Sequence, residues 1–305
     1  MWSLTVERVA RFADDTAVVA LGDGRFAVDV RRDWFVHVGP NGGFVAAVLL
    51  RAAVEALADP ARRPRTLNVN YLAALAEGEA VVEVRVERVA RSAAFVSCRL
   101  VQGDRTAALA LVSFATERAP VVGIGALRPP GVLPPERCVD LLADLEPAPV
   151  RARWDTRWAI GPAPARQPVG APPSFAAEAI EVGGWIRPSG PSGYDAVVLA
   201  AMADGWIPPL IARYGAAAVS TPTIELTVHF RDHGRLAALA DDEWCLVRFV
   251  SSMSGEGFVN EDGEIWSGDG HLLAHSRQLA MLTPPPAGWA GADPTSTTVT
   301  IAGAP

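Results

Sequence analysis

One order of elements occurs twice in this chain. Pro40-Asn41-Gly42-Gly43-Phe44 leads into an apolar run ending at Leu57, and strand-like runs follow as far as Phe114. Gly183-Gly184-Trp185 opens the second round, with an apolar run from Tyr194 to Arg213 and strand-like runs to Leu282. Asn68-Val69-Asn70-Tyr71 aligns with Thr227-Val228-His229-Phe230, and Arg105-Thr106-Ala107-Ala108-Leu109 with Gly270-His271-Leu272-Leu273-Ala274. Identity between the copies is low, so the order of elements carries the repeat. One long apolar helix between early strands and a late antiparallel run suits a sheet curled around a central helix, an α+β unit. Two such units can bury their sheet edges by pairing.

Local patterns place the elements. Strands are expected from Ser3 to Val9, from Ala17 to Leu21, and over Arg25 to Val30, where Phe26, Val28 and Val30 share one face. Phe44 to Leu57 is apolar nearly all round, broken only by Arg51 and Glu55, and Asp59-Pro60 ends it. A helix of that kind must be wrapped by other elements. Strands follow at Thr66 to Leu72, Ala80 to Val89, Ala93 to Gln102 and Thr106 to Ala115, with Gly103-Asp104 as a tight turn. The Pro-rich stretch 119–150 reads as a connector with a short helix near Cys138 to Leu145. Strands are then expected at Arg151 to Ile160, Ala179 to Ile186, Thr223 to Arg231, Trp244 to Ser251, Gly257 to Gly268 and His271 to Met281. Glu261-Asp262-Gly263 and Asp269-Gly270 read as turns. The resulting division is 1–118, a connector 119–150, 151–284, and a flexible tail 285–305.

Composition narrows the function. The 305 residues are 50% apolar, enough for a sizeable core. The net charge is −7 without a basic cluster, which argues against nucleic acid. The chain has no lysine, so Schiff-base and phosphate-loop lysines are unavailable. Cys98, Cys138 and Cys245 are scattered and odd in number, which fits a reducing cytoplasm better than a disulfide framework. The first residues alternate and carry charge early, reading as a strand and not a signal peptide. No run of about 18 apolar residues free of charge exists, so no membrane span is expected. Motifs of zinc hydrolases, serine hydrolases and nucleotide-binding loops are absent. His271 and His275 lie on a strand pattern, about 13 Å apart, which does not make a metal site.

Three polar residues stand at matched element ends in the second copy only: Asp204, Thr223 and Gln278. Asp204 lies late in the helix-like run, within Leu199-Ala200-Ala201-Met202-Ala203-Asp204-Gly205-Trp206, and a carboxylate there needs a partner or a wet cleft. Taken singly, each of the three is an ordinary residue for its element.

Asp204-Gly205-Trp206 after the helix, Thr223-Ile224-Glu225 opening a strand that ends in Phe230, and Asp269-Gly270 leading to Gln278 resemble the acyl-CoA thioesterase II family. Gly42-Gly43-Phe44 and Arg91-Ser92-Ala93-Ala94-Phe95 resemble it in the first half. The resemblance runs to about Leu282 and implies a double hotdog fold, two antiparallel sheets each wrapped around a central helix. It implies hydrolysis of acyl-CoA or related pantetheine thioesters, with Asp204, Thr223 and Gln278 holding the attacking water. No metal or redox cofactor is implied. Asn41, Gly42, Gly43, Phe44 and Trp206 are then substrate contacts, the backbone N–H groups around 42–44 polarising the thioester carbonyl. The alternative for Gly42 and Gly43 is that they only make the turn, and for Phe44 and Trp206 that they are core. Glu225 stands where the family more often has Asp, and Pro208-Pro209 ends the helix early. Arg65, Arg91 and Arg231 are available cations for a CoA phosphate. The substrate would be an acyl-CoA or an acyl-carrier thioester, and pairing of hotdog sheets predicts a homo-oligomer. The rival readings are a non-catalytic acyl-thioester binding protein, a hotdog enoyl-thioester hydratase or dehydratase, and a scaffold.

Overall fold

The structure, a computed structural model, describes residues 12–36, 38–119, 121–140, 148–162, 178–216 and 218–285. The expected strand at Ser3 to Val9 and the tail beyond residue 285 lie outside them, as does most of the short helix expected near Cys138 to Leu145.

The first half comprises α1 (Phe12–Asp15), β1 (Val18–Gly22), β2 (Arg25–Val30), α2 (Gly42–Leu57), β3 (Arg62–Tyr71), β4 (Gly78–Val89), β5 (Ala93–Gln102) and β6 (Arg105–Thr116). The second comprises β7 (Trp154–Ile160), β8 (Ile180–Pro188), α3 (Ala196–Met202), α4 (Pro209–Tyr214), β9 (Thr223–Phe230) and α5 (His233–Ala237). It ends with β10 (Cys245–Ser251), β11 (Ser254–Gly255), β12 (Phe258–Ser267) and β13 (Leu272–Met281). Every strand pairing is antiparallel. The strands form one continuous sheet in the order β1-β2-β4-β5-β6-β3-β9-β13-β12-β10-β8-β7, with β11 on β12.

The seam between the halves is β3 against β9. Asn68, aligned with Thr227 in the repeat, is also its cross-strand partner. Two repeats related by a two-fold axis through that pair produce this register, and the pairing removes two sheet edges at once. A buried ion pair fastens the halves elsewhere. Asp15 accepts from Trp34 Nε1 at 3.1 Å and meets Arg31 of the first half at 3.1 Å and Arg153 of the second at 3.4 Å.

The core is continuous across the seam. α2 buries Phe44 to Leu50, Ala52 and Ala53 against α3 and the inner faces of β3 to β6. Every residue of α3 is buried too. Asn41 caps α2, its Oδ1 accepting from the Phe44 amide at 3.1 Å, and Ala58 ends it in the left-handed region at φ +48°. Among the described residues no helix is long and apolar enough to cross a membrane.

Two sequence expectations need correction. The helix expected from Tyr194 to Arg213 is two helices, because Pro208 and Pro209 cannot donate to the carbonyls of Asp204 and Gly205. The strand expected at Ala179 to Ile186 is present as β8, and Gly183 and Gly184 lie inside it, where a Cβ on Gly183 would stand 2.1 Å from the Val247 carbonyl oxygen. Glu261-Asp262-Gly263 is not a turn but the middle of β12, where a Cβ on Gly263 would meet Ser276 Oγ at 2.1 Å and the Phe249 ring at 2.8 Å. In both strands glycine answers to crowding, not to a chain reversal.

Candidate active site

The break after α3 creates the first component. With Pro208 in place of a helical donor, the Asp204 carbonyl is free, and Asn41 Nδ2 donates to it at 2.6 Å. The same Nδ2 donates to Asp204 Oδ2 at 2.8 Å, and the Gly43 amide donates to that oxygen at 3.1 Å. Asn41 therefore caps α2 with its oxygen and grips Asp204 with its nitrogen. The carboxylate of one half faces the N-terminus of the helix of the other, where the positive end of the helix dipole favours it.

Close approach of the two helices depends on glycine. A Cβ on Gly43 would lie 2.3 Å from the Ala201 carbonyl oxygen, and one on Gly42 would lie 3.0 Å from Asp204 Oδ2. The glycines thus do more than make a turn: they let α2 dock end-on against the last turn of α3.

A β-bulge supplies the second component. In β9, Glu225 pairs with Leu279 and Thr223 with Ala280, leaving Ile224 as the extra residue. Alternation from buried Leu226 would turn Thr223 outward; the bulge turns it to the inner face. There its hydroxyl donates to Gln278 Oε1 at 2.8 Å. Gln278 is buried, opposite Leu226 on one side and Glu261 on the other. Its Nε2 donates to Glu261 Oε1.

Burial pushes the Asp204 carboxyl up to about 6, against the downward pull of hydrogen bonds from the Gly43 amide, Gln278, the Gly42 amide and Asn41. Desolvation wins over four donors, leaving a carboxylate that is ionised at neutral pH yet basic enough to take a proton. Asp204, Thr223 and Gln278 accordingly meet through three parts of the second half, the turn after α3, β9 and β13, while Asn41 and Gly43 of the first half hold the carboxylate.

The expected substrate contacts separate. Asn41, Gly42 and Gly43 stand at the Asp204 carboxylate. The Phe44 ring does not line a cleft; it is fully buried and stacks on Trp34 with centroids 5.3 Å apart. Trp206 is buried as well, its ring 5.6 Å from that of Trp158. Both aromatic side chains belong to the core, Phe44 from the first turn of α2 and Trp206 from the turn after α3.

Two residues of the site escaped the sequence reading. Tyr71 ends β3 and donates its hydroxyl to the Gly42 carbonyl at 2.8 Å. Burial, then the charges of Asp204 and Glu225, hold its phenol well above the usual tyrosine range. Glu261 is buried in β12 and pushed up to about 8, first by desolvation and then by the charge of Asp204. Its signal was available: Val259, Glu261, Gly263 and Ile265 share the inner face by period two, and only one of them carries charge.

Residues 30–115 match the family model of the acyl-CoA thioesterase N-terminal domain, and residues 135–282 that of the C-terminal domain. Among solved structures, a hot dog fold protein of unknown function from Alicyclobacillus acidocaldarius is 26% identical over 90% of this chain and 98% of its own, with a TM-score of 0.76. A protein described as a thioesterase II from Thermobifida fusca is 25% identical over 90% and 97%, with a TM-score of 0.73. An acyl-CoA thioesterase II from Mycobacterium marinum shares the fold at 20% identity, covering 91% and 99%, with a TM-score of 0.68. No curated protein matches by sequence. With both halves matched in order and the polar group lying between them, the chain belongs to the acyl-CoA thioesterase family, thioester hydrolases of the double hotdog fold.

Proposed function

We propose that this chain hydrolyses acyl-CoA, or a related pantetheine thioester, with Asp204 as the base and Thr223 and Gln278 orienting the water. The observation that carries the reading is the hydrogen-bonded group itself. Asp204 is held by Asn41 and the N-terminus of α2, Thr223 donates to Gln278, and Gln278 lowers the Asp204 carboxyl against the rise that burial causes. Because the Thr223 hydroxyl donates its proton to Gln278, its lone pairs remain to accept a proton from water. A water donating one hydrogen to Thr223 and one to Asp204 keeps a lone pair free for attack. As its oxygen bonds to the thioester carbon, its proton passes to Asp204 and the carbonyl oxygen becomes an oxyanion. Collapse breaks the carbon–sulfur bond, and the departing thiolate takes the proton back.

The oxyanion falls to the N-terminus of α2. There the carbonyl competes with Asp204 for the Gly43 amide, which the carboxylate now occupies. Losing that donor makes Asp204 a stronger base at the moment it is needed.

The test is release of free thiol from a panel of acyl-CoAs of short, medium, long, branched and aromatic type, comparing wild type with Asp204→Asn. Turnover by wild type and its loss in a folded variant supports the reading. Equal turnover in both removes Asp204 from the mechanism.

A further inference from the structure

Gln278 can serve Asp204 and Thr223 only if its amide faces one way. Flipped by half a turn about its last bond, it would turn its oxygen to the carboxylates and its nitrogen to the Thr223 hydroxyl. Thr223 does not decide between the two, since a hydroxyl can donate or accept. What decides is the acceptor on the other side. Glu261 stands there, its direct cross-strand partner, buried on the inner face of β12, taking a hydrogen from Nε2.

Resting on the mechanism proposed above, we propose that Glu261 is a positioning residue for thioester hydrolysis, locking the Gln278 amide so that Thr223 keeps its lone pairs for the water. The locked amide gives its oxygen to Thr223 and its nitrogen to Glu261. A buried carboxyl between Val259 and Ile265 costs folding energy that an aliphatic side chain would not. Among the described residues no cation pairs with it, and the charges that act on it are those of Asp204 and, from the other face of β12, Asp262, both acidic. Burial first, then those charges, push its carboxyl up to about 8, and in that neutral form its carbonyl oxygen can accept from Nε2 as a carboxamide oxygen would.

The experiment compares Glu261→Gln, Glu261→Leu, Gln278→Leu and the double variant Glu261→Leu/Gln278→Leu by kcat, KM and thermal unfolding, with Asp204→Asn alongside. Glu261→Leu is expected to unfold no lower than wild type while kcat falls roughly ten- to a hundred-fold and KM stays close to that of wild type. Glu261→Gln, which retains an acceptor oxygen, is expected to recover most of kcat. In the Gln278→Leu background, Glu261→Leu is expected to cost nothing further. Wild-type kcat in Glu261→Leu would overturn the proposal, as would a loss that adds in full to that of Gln278→Leu. If Asp204→Asn is inactive while Glu261→Leu is normal, only the positioning role falls. If Asp204→Asn is fully active, the hydrolytic mechanism falls first.

Discussion

Asp204→Asn should make the protein more stable while making it inactive, and the gain should depend on pH. The ordinary carboxyl value of 3.8 is raised to about 6 in the folded chain. Below about pH 4 the group is protonated whether folded or unfolded and contributes nothing. Between about 4 and 6 the unfolded chain gives up the proton first, so stability falls as pH rises. Above about 6 the full cost is present, about 3 kcal/mol for a rise of that size. Asn avoids this cost but sets an amide N–H where Gln278 also offers hydrogens, so the net gain is about 1–2 kcal/mol. Urea unfolding of wild type and variant from pH 4.5 to 7 is the assay. That range stays below the Glu261 transition near 8, which the Asp204 charge helps to set. The variant should gain on wild type as pH rises and level off near 7. A difference that stays flat with pH, or that shrinks upward, would refute the assignment of a destabilising buried carboxylate. In the same window wild-type kcat/KM should rise through about pH 6 as Asp204 becomes a base.

Asn41→Ala removes a helix cap and a grip on Asp204 together; it should cost about 1–2 kcal/mol in urea unfolding and move the acid limb of the rate profile upward. Gly43→Ala forces a Cβ against the Ala201 carbonyl oxygen, so α2 must back away from α3; a loss of about 1–3 kcal/mol with a fall in kcat is expected from unfolding and rate measurements. Thr223→Val deletes the donor to Gln278 and should lower kcat sharply, whereas Thr223→Ser should keep much of it. Equal rates in the two would remove the hydroxyl from the mechanism.

Much of this arrangement was legible in the residues. An apolar run such as Phe44 to Leu57 has to be wrapped, and alternation in Val81 to Val89 has to be a half-exposed strand, so the repeat follows from the order of such elements along the chain. Asp204, Thr223 and Gln278 stood out through resemblance and through their matched positions. Thr223 illustrates the limit. Nothing in Thr223-Ile224-Glu225 announces a bulge, because a bulge is set by the register of the partner strand, and without it the threonine would face away from Gln278. Glu261 illustrates another. Glu-Asp-Gly is turn-like by composition, and only the crowding of Phe249 and Ser276 shows that the glycine serves packing inside a strand.

The sequence by itself determined the two helix-and-sheet units and which polar residues were available for chemistry. Those properties reside in single residues and in periods of two and 3.6 along the chain. Tertiary structure alone decided that the units share one sheet through β3 and β9, that Asn41 of one half holds Asp204 of the other, and that the Phe44 and Trp206 rings belong to the core. These are distances between residues far apart in the chain, set when two apolar helices find the one approach that glycine permits and two sheet edges satisfy each other's hydrogen bonds.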